Sequence, residues 1–239
     1  MISRSPLVLA VAILTGCEES CDLARERSEA PARMPPADRA AVLFLGTSLT
    51  AGYGLDPDQA YPALLQRKID SAGLPYRVVN AGVSGETSAG AVRRLGWLLR
   101  QPFDVLVIET GGNDGLRGLS TDSLRANIQT IIDSARALSP PPRIVLLGMR
   151  ALPNYGFGYA RRFRKVYEEV AGRNDIPLVP FLLDGVAGED GMNQADGIHP
   201  TPEGHRRMAE TVWEALQPVL EDGQTIRRPD GRTAGRSGG

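Results

Sequence analysis

The feature that most restricts the fold is a series of short, unbroken apolar runs, each closing on glycine or a small polar cluster. Ala41-Val42-Leu43-Phe44-Leu45 ends at Gly46, and Arg77-Val78-Val79-Asn80 ends at Ala81-Gly82. Val105-Leu106-Val107-Ile108 ends near Gly111-Gly112, and Ile144-Val145-Leu146-Leu147 ends at Gly148. Pro177-Leu178-Val179-Pro180 is a weaker fifth. Continuous rather than alternating apolarity marks strands buried on both faces, as in parallel sheets. Between the runs, apolar residues recur at helical spacing: Tyr61, Leu64, Leu65 and Ile69; Val92, Leu95, Leu98 and Leu99; Leu124, Ile128, Ile131, Ile132 and Ala135; Phe163, Val166, Tyr167 and Val170; Met208, Val212 and Leu216. Thr201 ahead of Pro202 reads as an N-cap followed by proline at the first helical position. The alternation specifies an open, mostly parallel α/β sandwich with right-handed crossovers.

The ends read differently from this core. Residues 1–16 place one arginine ahead of an apolar run from Pro6 to Gly16, too short to span a bilayer but suited to the central region of a signal peptide. Leu14-Thr15-Gly16-Cys17 resembles a bacterial lipobox, in which cleavage precedes a cysteine that receives lipid. The expectation is a lipid anchor on Cys17 in the bacterial cell envelope or periplasm. A plain secretory signal, or a start codon assigned ahead of a soluble protein, are the alternatives. Residues 17–39, which contain Cys21, have the acid-, arginine- and proline-rich composition of a disordered linker. Residues 222–239 read as a disordered tail, and its G-R-S-G-G at 235–239 lacks the strand and helix that a nucleophile elbow requires. The folded domain is therefore expected at 40–221.

In an open α/β sheet, ligands bind beyond the carboxyl ends of the strands. Four polar clusters fall there: Gly46-Thr47-Ser48-Leu49-Thr50, Asn80-Ala81-Gly82-Val83-Ser84-Gly85, Gly111-Gly112-Asn113-Asp114-Gly115 and Asp196-Gly197-Ile198-His199-Pro200. They offer a hydroxyl, small residues with open amides, a side-chain amide, and a carboxylate three residues before an imidazole. These are the parts of serine acyl transfer, which needs a base beside the hydroxyl, a carboxylate to fix that base, and donors for the oxyanion. Composition narrows the choice. The chain has two histidines, His199 and His205, so an imidazole base has two candidates. His205, at helical spacing in the last helix, reads as structural. Two cysteines cannot build a cysteine-rich zinc site, and Asp196, His199 and His205 match no zinc spacing, so no metal is expected. A net charge of −1 gives no footprint for nucleic acid.

The four clusters, in this order and spacing, resemble the sequence blocks of the GDSL, or SGNH, hydrolases, and in particular a bacterial subgroup with thioesterase, lysophospholipase and arylesterase activities. The resemblance implies a flavodoxin-like three-layer α/β/α sandwich of about five parallel strands and no cofactor. It implies Ser48 as nucleophile, His199 as base and Asp196 as its orienting partner. Ser48, Gly82 and Asn113 would donate to the oxyanion. The family usually carries aspartate where this chain has Thr47, which bears on hydrogen bonding around the nucleophile turn. In the resembled subgroup the loops after the third and fourth strands shape the acyl crevice. Here these supply Leu116, Leu119, Pro153 and Tyr155 as substrate-loop candidates. Their apolar content favours an acyl or aryl ester, such as a lysolipid, over a bare acetyl group. A sugar O-acetyl esterase and a non-catalytic ligand-binding lipoprotein on the same scaffold are the competing readings.

Overall fold

A computed structural model describes residues 39–226. The leader at 1–16, the lipid site Cys17, the linker with Cys21 and the tail beyond Ile226 lie outside the described residues.

Each apolar run becomes a strand: β1 (Ala40–Gly46), β2 (Tyr76–Gly82), β3 (Val105–Glu109), β4 (Arg143–Leu147) and the short β5 (Leu178–Val179). All pair in parallel, in the order β2-β1-β3-β4-β5. That is the flavodoxin-like order, with its switch point between β1 and β3. The central strands need apolar residues at every position because both faces are covered, and all seven residues of β1 and all five of β3 are buried.

The helices are α1 (Ser48–Ala51), α2 (Tyr61–Ser71), α3 (Ser88–Leu98), α4 (Gly112–Leu116), α5 (Thr121–Arg136), α6 (Phe157–Asn174) and α7 (Pro202–Ile226). Helix α2 packs on α7, while α5 packs on both α3 and α6. Right-handed crossovers put the first pair on one face of the sheet and the other three on the opposite face, giving three layers. The stripe Leu124, Ile128, Ile131, Ile132 and Ala135 of α5 is fully buried. Thr201 caps α7 as expected, its hydroxyl accepting from the Gly204 N–H at 3.3 Å.

One boundary differs. Helix α7 continues past residue 221 to Ile226, through Gly223. A side chain at Gly223 would collide with the Arg143 guanidinium, which its absent Cβ leaves room for. The glycine is therefore retained inside the helix by close packing, where composition pointed to a helix end.

His205 is buried in the α2–α7 interface, at 1% exposure. Its Nδ1 accepts the N–H of Tyr61, the first residue of α2, at 3.1 Å. Burial, with the nearby His199 as a smaller cause, pulls its pKa down to about 4. Below its ordinary value of 6.5 the unfolded chain binds a proton that the folded chain refuses. The contribution of neutral His205 is therefore complete above about pH 6.5 and is lost as pH falls toward about 4. Between pH 7 and pH 5 this amounts to about 2 kcal/mol. Denaturant unfolding at the two pH values should show that much more acid loss in the wild type than in His205→Gln; equal losses would contradict this role.

Candidate active site

The site assembles at the carboxyl ends of β1, β2 and β3 and on the loop before α7. Ser48 lies one residue past β1, after Thr47, and opens the single turn α1. The turn is held from below by Glu109, the last residue of β3, which is 1% exposed. Glu109 Oε2 accepts the Thr47 N–H at 2.7 Å and the Thr50 hydroxyl at 2.9 Å. The Thr47 hydroxyl donates to the same carboxylate, at 2.9 Å to Oε1. Burial raises the pKa of Glu109, and the donors from Thr47 and Thr50 oppose that rise. Thr47, in the position where the resembled family usually has aspartate, thus acts here as a double donor to a buried acid. The network runs on: Thr50 Oγ1 and the Tyr61 hydroxyl lie 2.8 Å apart, and Tyr61 is the residue whose amide His205 receives. Gly46 makes this approach possible, because a Cβ there would fall 1.9 Å from Thr50 Oγ1.

The loop carrying Asp196 and His199 is clasped at its base by the antiparallel bridge Asn193–Pro200. Gln194 closes it further, its N–H donating to the His199 carbonyl at 2.7 Å and its side-chain amide to the Tyr53 carbonyl at 2.8 Å. Asp196 Oδ1 accepts the backbone N–H of Ile198 (2.9 Å) and of His199 (3.0 Å). Its Oδ2 receives the His199 Nδ1–H at 2.6 Å. The His199 ring, followed by these two amides, holds the Asp196 carboxyl well below the usual carboxylate range. With Nδ1 so engaged, Nε2 is free to accept, and it lies 3.0 Å from Ser48 Oγ. Ser48, His199 and Asp196 therefore form one hydrogen-bonded chain. His205 is not part of it, and its ring stacks on that of Tyr61, with centroids 6.2 Å apart.

Asn113 sits in α4, which is anchored by its neighbour: the buried Asp114 accepts the N–H of Ser88 at 2.8 Å and its hydroxyl at 2.6 Å. The Asn113 side-chain Nδ2 donates one hydrogen to the Glu86 carbonyl at 3.0 Å. The second hydrogen is left for the crevice, which Asn113 lines together with Ser48 and His199.

Gly82 departs from expectation. Its N–H donates to Asn80 Oδ1 at 2.9 Å, and it is absent from the crevice wall. Its role is close packing, since a Cβ at Gly82 would come within 2.3 Å of the Ala51 amide of α1. Gly85, three residues on, lines the crevice beside Ser48, and its N–H makes no hydrogen bond among the described residues. The sequence offered two glycines in one cluster, and the competing Asn80 side chain decides between them.

The crevice is about 350 Å³, near the lower end of small-molecule sites, which run from about 300 to 1,000 Å³. Of the four substrate-loop candidates, Leu116 and Pro153 line it. Tyr155 and Leu119 stand behind. The Tyr155 hydroxyl donates to the Leu116 carbonyl at 3.2 Å, and the Leu119 carbonyl accepts the Tyr159 hydroxyl at 2.8 Å. Leu49, Met149, Phe181 and Leu183 complete much of the apolar wall and were not anticipated. Tyr53 was also missed, although it lies only three residues past the first cluster; its ring centroid is 4.5 Å from that of His199.

A five-stranded parallel α/β sheet thus brings Ser48, His199 and Asp196 into line beside an apolar crevice. Residues 44–207 match the GDSL-like Lipase/Acylhydrolase family, and the chain belongs to that family. It is 46% identical over 180 residues to the esterase TesA of Pseudomonas aeruginosa, covering 75% of this chain and 89% of the relative. It is 38% identical over 181 residues to the thioesterase 1/protease 1/lysophospholipase L1 of Escherichia coli K12, covering 75% and 84%. A crystal structure of TesA superposes with a TM-score of 0.71 at 44% identity, over 75% of this chain and 99% of that one. The protein is accordingly a GDSL-type ester hydrolase.

Truncating Glu109 should expose how far the turn that carries Ser48 depends on it. Glu109→Ala leaves the Thr47 N–H buried without an acceptor and opens a cavity, which should lower stability by about 3 kcal/mol. Glu109→Gln retains one acceptor oxygen and should cost markedly less. Denaturant unfolding measures both. Equal, small losses would show that the turn holds without the carboxylate.

Proposed function

We propose that the protein hydrolyses esters or thioesters of the esterase, lysophospholipase and thioesterase type through an acyl-enzyme on Ser48. The observation that carries this reading is the unbroken chain from Ser48 Oγ through His199 to Asp196, with contacts of 3.0 and 2.6 Å. A serine hydroxyl is a weak nucleophile until a base receives its proton. In this reading Ser48 attacks the carbonyl carbon as its proton passes to His199 Nε2. Asp196 keeps Nδ1 protonated and stabilises the imidazolium. The negative charge on the carbonyl oxygen is met by the free hydrogen of Asn113 Nδ2 and by the amides of Gly85 and Ser48, each worth about 3 kcal/mol of barrier. His199 then protonates the departing alcohol or thiol. A water activated by the same imidazole cleaves the acyl-serine and restores the hydroxyl.

The apolar wall of Leu49, Leu116, Met149, Leu152, Phe181 and Leu183 supports an acyl chain over an acetyl group, because a two-carbon acyl would leave most of that surface facing water. It ranks a lysolipid or acyl ester above a sugar O-acetyl ester. We further propose that the chain works in the bacterial envelope, held by lipid on Cys17; the support is the lipobox-like Leu14-Thr15-Gly16-Cys17.

Ser48→Ala should abolish p-nitrophenyl ester turnover and labelling by a fluorophosphonate probe. Asp196→Asn should retain labelling but lower kcat on the order of 10³–10⁴-fold, because the amide favours the wrong imidazole tautomer. A folded wild type that neither takes the probe nor turns over any ester is a binding protein instead. Mass spectrometry of the mature N-terminus tests the anchor: a diacylglyceryl mass on Cys17 is expected, and an unmodified cut elsewhere rejects it.

A further inference from the structure

One lip of the crevice continues onto the surface. Leu152 and Pro153 line the crevice, and the same segment runs on through Tyr155 to Phe157, the first residue of α6. Leu152 is 56% exposed and Phe157 is 85% exposed. Tyr155, also exposed, leans on the chain that follows α4: its hydroxyl donates to the Leu116 carbonyl, and a Cβ on Gly118 would fall 2.6 Å from its ring. Exposed Leu116 and Leu119 thereby join the same lip, Leu119 through the Tyr159 hydroxyl on its carbonyl. Single exposed apolar side chains are ordinary on a protein surface, but five on two touching segments form a patch. The rings of Tyr155, Tyr159, Phe163 and Tyr167 pack one on the next into the core, and Phe157 takes no part in that row among the described residues. The charge beside this patch has one sign. Between Asp133 and Glu168 the chain carries no acid. Arg161 and Lys165 stand on the same row of α6 as Phe157, one and two turns on, and Arg162 adjoins them. All three are exposed and make no hydrogen bond or ion pair among the described residues.

We propose that this lip is a docking surface for an anionic phospholipid bilayer, in which Phe157 and its apolar neighbours enter the interfacial region while Arg161, Arg162 and Lys165 meet the headgroup phosphates. The inference concerns where the protein sits and holds whether or not Ser48 forms an acyl-enzyme. Apolar side chains with cations beside them are the pattern of a segment lying in a membrane interface, and an aromatic ring suits that depth. Each Lys or Arg near an anionic leaflet adds attraction that fades within a Debye length, which is why cations within two turns of Phe157 count. Charge also selects the occupant. A second copy of the chain meeting this patch across a two-fold axis would bring like charges together, whereas an anionic bilayer complements them. The other long segment of the crevice wall, from Leu183 to Asn193, instead exposes Asp184, Glu189 and Asp190. An anionic surface therefore attracts one lip and repels the other, which gives the docked domain a defined orientation.

The test places a reporter at the tip of the lip. Full-length Phe157→Trp is mixed with vesicles of phosphatidylglycerol brominated on the acyl chains, and the wild-type signal is subtracted to remove Trp97 and Trp213. The introduced indole should shift to the blue and be quenched by the bromine. Both effects should disappear on phosphatidylcholine vesicles and shrink with rising salt. Adding Arg161→Gln and Arg162→Gln should weaken the quenching titration on the order of tenfold. Arg100→Gln, at an exposed position beyond the end of α3, should leave it unchanged. An indole that stays unquenched, or is quenched equally on both lipids, overturns the proposal. A concentration-dependent dimer in sedimentation velocity that Phe157→Ser dissolves would assign the lip to a second copy and overturn it as well. Phe157→Ser should keep turnover of a soluble p-nitrophenyl ester within about twofold of wild type, because Phe157 is not in the crevice wall. A large loss there would make Phe157 part of the substrate site and reject a docking role.

Discussion

The site depends on one buried acid. Glu109 ends the central strand β3 and takes hydrogen bonds from the backbone and hydroxyl of Thr47 and from the hydroxyl of Thr50, on either side of Ser48. A carboxylate taken out of water is costly unless its oxygens are satisfied. A one-turn helix at a strand end is likewise too short to hold its own shape. Each resolves the other: the turn supplies the donors that the acid needs, and the acid fixes the residues that flank Ser48. Gly46 and Gly82 permit the arrangement by leaving no Cβ where the turn meets its neighbours. The position of Ser48 is thus set by the core of the sheet rather than by a surface loop.

From Glu109 the polar contacts extend through Thr50 and Tyr61 to His205 on the last helix. The path joins β3, the turn at Ser48, α2 and α7 inside an otherwise apolar layer. The second arm of the site is organised differently. Asp196 and His199 lie on a loop clasped by backbone bonds and by Gln194, and Asp196 fixes both the turn and the imaging of the ring toward Ser48 through three separate hydrogen bonds. One arm is rigid through burial and the other through saturation of its hydrogen bonds.

The fold was legible because parallel strands covered on both faces must be written as unbroken apolar runs, and the three central strands were, while the edge strands β2, with Arg77 and Asn80, and the two-residue β5 were marked more faintly. That Ser48, His199 and Asp196 would meet was legible because strand ends gather at one edge and because two histidines left little choice. Glu109 was not: an acid closing an apolar run looks like an ordinary strand end, and its partners Thr47 and Thr50 are some sixty residues away. The choice between Gly82 and Gly85 was equally hidden, since it turns on whether the Asn80 side chain reaches a neighbouring amide. Likewise, apolar content placed Leu119 and Tyr155 at the crevice, but side-chain direction put them behind it. The far end of α7 was obscured by Gly223, whose small size serves the Arg143 guanidinium beside it.

The Asn113 amide has a further implication. A primary amide is two-faced, with a donor edge and an acceptor edge that differ little in shape. Turned the wrong way, it would set an oxygen against the oxyanion that the proposed mechanism places there. The bond from Nδ2 to the Glu86 carbonyl breaks this symmetry before any substrate arrives. A net hydrogen bond of about 1 kcal/mol favours the correct face by about fivefold. The carbonyl of Glu86, which never touches the reacting atoms, thereby acts as a polarity key for the site.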